Sequence, residues 1–292
     1  MPRGAVARSG MLAQMQRPRR QRKPWSLALA ALAGVAALAL VASLASARDR
    51  GADGQFDKRS SAHFLLLQDV SIAESGGFYG SRRFEEEVLG ELEGAYSAVQ
   101  TQLGMRPDRR IEVVIDDPAL FDQQFAAAFR FRAAGFYSGI IRVRGDTQLT
   151  APLARTLHHE LVHAAFDAVA PSLMLPSWLN EGTAVWFEYR SIGLRGMPER
   201  GHQILSQYAA RNALLPLDVM SWPSFARLDN DAAGVAYLQS YGMIDYLVRL
   251  GGERSLPRFF EELFHSRDMN RALTRVYRLD LQELERRFLA EL

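Results

Sequence analysis

The sequence predicts an α+β fold: a small mixed sheet with helices, then a helical C-terminal lobe, preceded by one N-terminal transmembrane or signal helix. Three observations carry this expectation. Strand-like runs, HFLLLQ at 63–68, IEVVID at 111–116 and GFYSGIIRVR at 135–144, all fall before residue 145. From Thr150 onward the apolar spacing is helical. Residues 25–47 carry no charge at all. Strands with helices first and helices alone afterwards describe an α+β domain with a helical lobe.

The N-terminal arm, residues 1–24, is basic. Arg3, Arg8, Arg17, Arg19, Arg20, Arg22 and Lys23 stand there without an acid, giving +7, while the remaining 28 basic and 33 acidic residues give −5. The net charge of +2 and the isoelectric point near 9.0 therefore describe the arm, and the rest of the chain is mildly acidic. That takes away most of the electrostatic support for nucleic-acid binding. Trp25–Ala47 is uncharged, and as a helix it would extend about 34 Å, enough to cross a bilayer. The basic run before it belongs on the cytoplasmic side by the positive-inside rule. Ala45-Ser46-Ala47 also has the form of a signal-peptide cleavage site, but the long apolar stretch and long basic arm favour a retained anchor.

Residues 48–61, beginning RDRGADGQFDKRS, read as a linker, which leaves 62–292 as the folded domain, with its helical lobe from about 200 to 292. Ser81 is placed to cap a helix to about Leu103, with Phe84, Val88, Leu92, Tyr96 and Val99 on one stripe. IEVVID is a β-branched strand ended by Asp117-Pro118, and 135–144 reads as a hairpin or edge strand. Thr150-Ala151-Pro152 opens a helix to about Ala168, with proline just inside its start. Ser177 is placed to cap a second, shorter helix to about Tyr189. The remainder is helical, with breaks near Pro216, Pro223, Gly251-Gly252 and Pro257.

The chain has no cysteine, so disulfides, thiol nucleophiles and thiolate metal ligands are excluded, and any metal site must use His and carboxylates. Residues 159–163 read His-Glu-Leu-Val-His. On a helix the i and i+4 imidazoles share a face and reach one ion, while Glu160 flanks the ion's open side. His158 points about 100° away from that face and is a bystander. A metzincin would continue with glycine at 166 and histidine at 169. Phe166 and Val169 exclude that class. The gluzincin pattern instead takes its third ligand from a glutamate on a following helix, and by that resemblance the candidate is Glu181, in Trp178-Leu179-Asn180-Glu181-Gly182-Thr183-Ala184, with 17 residues between it and His163. Glu188, i+7 from Glu181, is its competitor, read in preference as a supporting or surface carboxylate.

HELVH followed by LPSWLNEGTAVWFE resembles the gluzincin clan of zinc metallopeptidases, and is most similar to its bacterial peptidase MA-like families. The spacing to Glu181 is slightly short beside thermolysin-like and aminopeptidase members. The resemblance covers about residues 62–265 and implies a zincin-like fold. Its implied Zn2+ site is His159, His163 and Glu181, with Glu160 as general base, and its substrate is a peptide or protein. Within AYLQSY at 236–241, Tyr237 falls on the position of the family's oxyanion-donating tyrosine, with Tyr241 as the alternative and a core tyrosine as the plain reading. The 135–144 hairpin matches the edge strand along which substrate backbone pairs. It lacks the Gly-Ala-Met-Glu-Asn motif that binds a free amine in the clan's aminopeptidases, which points to an endopeptidase. Asp167, i+4 from His163, could orient an imidazole or could be a solvated helix-end residue.

With the anchor, this places the catalytic domain on the periplasmic side of a bacterial inner membrane, or in the periplasm if the signal is cleaved. Two other readings stand beside it. One is a catalytically silent metal-binding or substrate-holding module of the same fold. The other is a membrane-tethered structural protein in which HELVH is only a helix surface.

Overall fold

β-branched and aromatic runs form the sheet, and a 3.6-residue apolar repeat forms the helices around it. The computed structural model describes residues 56–69, 72, 80–125 and 133–292. The basic arm, the apolar segment 25–47 and the start of the linker lie outside them. Among the described residues no helix is long and apolar enough to cross a membrane.

Five strands pair in the order β1-β2-β3-β5-β4. They are β1 (Phe56–Ser60), β2 (Phe64–Asp69), β3 (Ile111–Asp116), β4 (Gly135–Tyr137) and β5 (Ile141–Arg144). The inner strands β2, β3 and β5 run parallel, and β1 and β4 close the two edges antiparallel. Inner parallel strands are covered on both faces, which is why IEVVID needs no apolar–polar alternation. Of its residues only Glu112 is more than slightly exposed. The sheet is mixed, as the sequence suggests.

One boundary is corrected. Residues 56–60, read from sequence as linker, form β1 and pair with β2 from Phe56–Asp69 to Ser60–Leu65. This edge strand has four polar or charged residues among its five. It is held by its backbone partners and by an ion pair between Arg59 and Glu85.

Helix α1 (Gly80–Leu103) buries Phe84, Val88, Leu92, Tyr96 and Val99 as one stripe. They share a core with Phe64, Leu66, Val113, Ile115, Ile141 and Val143 from one sheet face. The helix begins at Gly80, so Ser81 lies inside its first turn. Short helix α2 (Pro118–Phe125) follows β3. Next come α3 (Ala151–Val169) and α4 (Ser177–Ser191), the pair that carries the predicted site. The helical lobe holds α5 (Glu199–Ala210), α6 (Leu217–Met220), α7 (Asn230–Gly251), α8 (Ser255–Ser266), α9 (Met269–Tyr277) and α10 (Leu281–Ala290). Pro257 does not break the chain; it sits in the first turn of α8, where a missing N–H costs nothing.

Trp178, Leu179, Ala184, Trp186 and Phe187 of α4 are all buried, at 2% exposure or less. Truncating such an aromatic residue typically costs about 3–5 kcal/mol. The helix that supplies Glu181 is therefore rigidly seated.

Candidate functional site

Local rules set the first half of the site. Thr150 caps α3, its Oγ1 accepting from Leu153 N at 3.4 Å, and Pro152 fits the first turn because its missing N–H has no partner there to lose. The helix then runs unbroken past His163. One turn apart on one face, the His159 and His163 rings stand with centroids 5.0 Å apart at 76° to one another.

Tertiary packing sets the second half. α4 lies against α3, and Glu181 Oε2 comes 3.3 Å from His159 Nε2 and 3.4 Å from His163 Nε2. The donor atoms of these three residues all lie within 4.8 Å of one another. Such separations are long for hydrogen bonds to a carboxylate. They match the edge of a tetrahedron with metal bonds of about 2.0–2.1 Å, which is about 3.3 Å. Two imidazoles and a carboxylate are an N/O donor set suited to zinc. The residues present therefore fit a small divalent cation.

The far ring nitrogens are held as well. His163 Nδ1 is 3.0 Å from Asn180 Oδ1, and His159 Nδ1 is 3.4 Å from Glu188 Oε2. An oxygen acceptor at each Nδ1 favours the tautomer that carries its proton there and turns the Nε2 lone pair toward Glu181. Glu188 thus stands behind His159, away from the cluster of donor atoms. Asp167 does not orient an imidazole. It accepts from Tyr137 Oη at 2.6 Å and pairs with Arg109. His158 also stays outside the cluster, with Nε2 2.7 Å from Glu91 Oε1 and its ring stacked on Phe187.

The residue after Glu181 explains how a third helix reaches the site. A Cβ on Gly182 would lie 2.5 Å from Ser240 O, so only glycine lets α7 come this close to α4. One turn before Ser240, Tyr237 then sits with its ring centroid 6.3 Å from that of His159, within the field of the Glu181 and Glu160 carboxylates. Phe225 packs edge-on against the same ring. Tyr241 is in the core instead, stacked on Tyr189 at 5.1 Å and 1% exposed. Each residue of Asn180-Glu181-Gly182 therefore has a separate structural task. In the sequence Asn180 and Gly182 stand within the motif that carries Glu181, but no task of their own can be read there. Ser177 also departs from expectation: it makes no cap bond, and its hydroxyl donates to Trp222 O at 2.7 Å.

Burial shapes the electrostatics. It pushes the Glu160 carboxyl above the usual range, and the pull of His159 and His163 does not fully offset this, because Glu181 and Glu188 push the same way. Glu181 is equally enclosed, yet the adjacent His163 and His159 overcome desolvation and hold it well below the usual range. Burial and the nearby carboxylates raise Tyr237 well above the ordinary phenol value, so its hydroxyl stays protonated.

β4 runs along α3. A Cβ on Gly135 would meet Thr156 Cγ2 at 2.8 Å, and Tyr137 reaches Asp167, so the two contacts bracket His159 and His163 along the helix.

Comparison with known proteins adds a family. Residues 110–292, more than half of the chain, match the family model described as the Peptidase MA superfamily. The match takes in α3, α4 and α7. No curated protein sequence matches the chain.

Proposed function

Because the chain belongs to the peptidase MA superfamily, whose members are typically metal-dependent, we propose that it is a zinc endopeptidase using His159, His163 and Glu181 as ligands. The observation that carries this reading is the convergence of both Nε2 atoms on Glu181 Oε2, with buried Glu160 beside them. Zinc held there would supply Lewis-acid polarisation of the scissile carbonyl and would acidify water at the site.

The protein's own groups do the rest. Glu160 takes the proton of the attacking water on a carboxylate oxygen and returns it to the leaving amine nitrogen. Its proton affinity, raised by burial, suits both transfers near neutral pH. Tyr237 offers its phenolic proton to the developing oxyanion. Asn180 and Glu188 keep the imidazoles oriented. The edge of β4, lying along α3, offers backbone groups to an extended substrate.

The choice of endopeptidase is supported by the hairpin, whose residues 135–144 include no acid. The nearby Asp167 is already engaged by Arg109 and Tyr137. On the sequence grounds of the basic arm and residues 25–47, we place the domain outside the cytoplasm, tethered to the membrane.

Cleavage of an unbiased peptide library by the full-length, detergent-solubilised chain tests the proposal. Internal cuts should appear with Zn2+ and disappear with chelator. Glu160→Gln should lower turnover about 10²–10⁴-fold, the usual worth of a general base, with bound zinc retained. Cleavage that survives chelation or Glu160→Gln would refute the reading. A chain that binds zinc and cuts nothing would instead be a silent holding module.

A further inference from the structure

We propose that Arg155 is a positioning residue for the metal centre, acting on His159 through Glu188. The inference rests on the metal-site reading above. Arg155 precedes His159 by one helical turn on α3, so the two side chains share a face. Its Nε lies 3.6 Å from Glu188 Oε1, while the other oxygen of that carboxylate, Oε2, lies 3.4 Å from His159 Nδ1. A single carboxylate bridges guanidinium and imidazole, one oxygen to each.

This arrangement bears on a question the sequence raises, namely why Glu181 and not Glu188 would bind the cation. Both carboxylates neighbour His159. Glu188 is held from behind: Arg155 draws Oε1 away from the ring, and Oε2 meets Nδ1, the nitrogen on the far side of the imidazole from Glu181. Without Arg155, Glu188 would be anchored by one contact and free to rotate about its side-chain bonds. Arg155 Nε is buried and has no hydrogen-bond partner among the described residues, and the ion pair with Glu188 compensates its charge. The side chains are 37%, 21% and 14% exposed for Arg155, Glu188 and His159, so water screens the chain of charges only in part. Arginine suits the task because its charge persists at any working pH.

The test uses the full-length chain and Zn2+ alone, with affinity read by chelator competition, so no peptide substrate is needed. E188A should weaken zinc binding about 10–100-fold, as loss of a ligand's outer partner usually does. R155A and R155M should each weaken it by less, about three- to tenfold, and R155K should recover part of that loss. In the E188A background the R155A loss should vanish, because the effect travels through Glu188. Unchanged circular dichroism shows that each variant folds. A loss of the same size with and without Glu188, or R155M behaving as wild type, overturns the role of Arg155 while the zinc site stands. Wild-type chain that takes up no stoichiometric Zn2+ overturns the metal centre and this inference together.

Discussion

Two clusters of buried charge in this chain are built on different plans. On the sheet face opposite Ile115 and Val143, Arg142 donates to Asp116 twice, Nη2 to Oδ1 at 2.6 Å and Nε to Oδ2 at 3.0 Å. Phe125 covers the guanidinium. Fork meets fork, charge cancels charge, and the pair is complete. Between α3 and α4 the count does not close. Three carboxyl groups, Glu160, Glu181 and Glu188, face one guanidinium, Arg155, so the cation-binding form, with ionised carboxylates and neutral imidazoles, carries −2, the charge a divalent ion cancels. Two ring nitrogens also crowd one carboxylate oxygen instead of sharing both. A structural pair saturates itself. A metal-binding set leaves charge and lone pairs over.

The contrast extends to energetics. Even with Arg142 in place, burial keeps the Asp116 carboxyl above its ordinary range, so the closed pair gains little over an apolar replacement. Breaking it is another matter. Asp116→Ala strands a guanidinium that is 7% exposed, and should cost about 3–5 kcal/mol in urea unfolding. Changing both residues together, Asp116→Leu with Arg142→Met, should restore most of the loss. A single-variant cost below about 1 kcal/mol, the range of a surface pair, would show that the sheet cluster is not closed as described.

At the other cluster the corresponding test is catalytic. Tyr237→Phe removes one hydrogen-bond donor with little change of shape. It should lower kcat about 10²–10³-fold, the usual cost of losing an oxyanion donor, with zinc content and melting temperature close to wild type. Tyr241→Phe, in the core against Tyr189, should leave kcat near wild type. Equal losses from the two substitutions would mean that Tyr237 contributes packing alone.

How much of this was legible in the sequence follows from how local each interaction is. α3, with Thr150 and Pro152 at its start and the His159–His163 pair, is set by contacts within one helical turn, so its spacing could be read directly. The same holds for the α1 stripe and for the β-branched β3. β1 escaped because Phe-Asp-Lys-Arg-Ser has no apolar alternation, and its partner strand is outside the segment itself. Glu181 was reached by resemblance, since nothing in its own helix says that it faces two histidines. Asn180, Gly182 and the bridging position of Glu188 depend on how α4 lies against α3 and α7, which no periodicity encodes. Asp167 shows the converse: the spacing from His163 fits an orienting acid, but Arg109, 58 residues earlier in sequence, and Tyr137 of β4 claim it.

The smallest expected effect, and the one that most sharpens the contrast, is the pH dependence of zinc binding. Burial alone would lower the His159 imidazole, but the adjacent Glu181 and Glu188 carboxylates and the charge of Glu160 outweigh it and raise the group from 6.5 to about 10. A group raised in this way is protonated in the metal-free fold at neutral pH, and zinc needs that lone pair, so binding must expel a proton at any pH below about 10. Zinc affinity should therefore rise about tenfold per unit between about pH 7 and 9 and level off above the imidazole value. Calorimetry in buffers of different ionisation enthalpy should report net proton release on zinc binding, because the His163 imidazole is raised as well, by Glu181 and Glu160 against burial. By the same linkage, the stability that the imidazolium gives the chelated chain is fully present below 6.5 and lost as pH rises through about 10, so its melting temperature should fall over that window. The zinc-loaded chain should not show that fall. Affinity independent of pH between about 7 and 9 would mean that no proton occupies the cation's place, and that the surplus of carboxylates between α3 and α4 does not act on His159 as described.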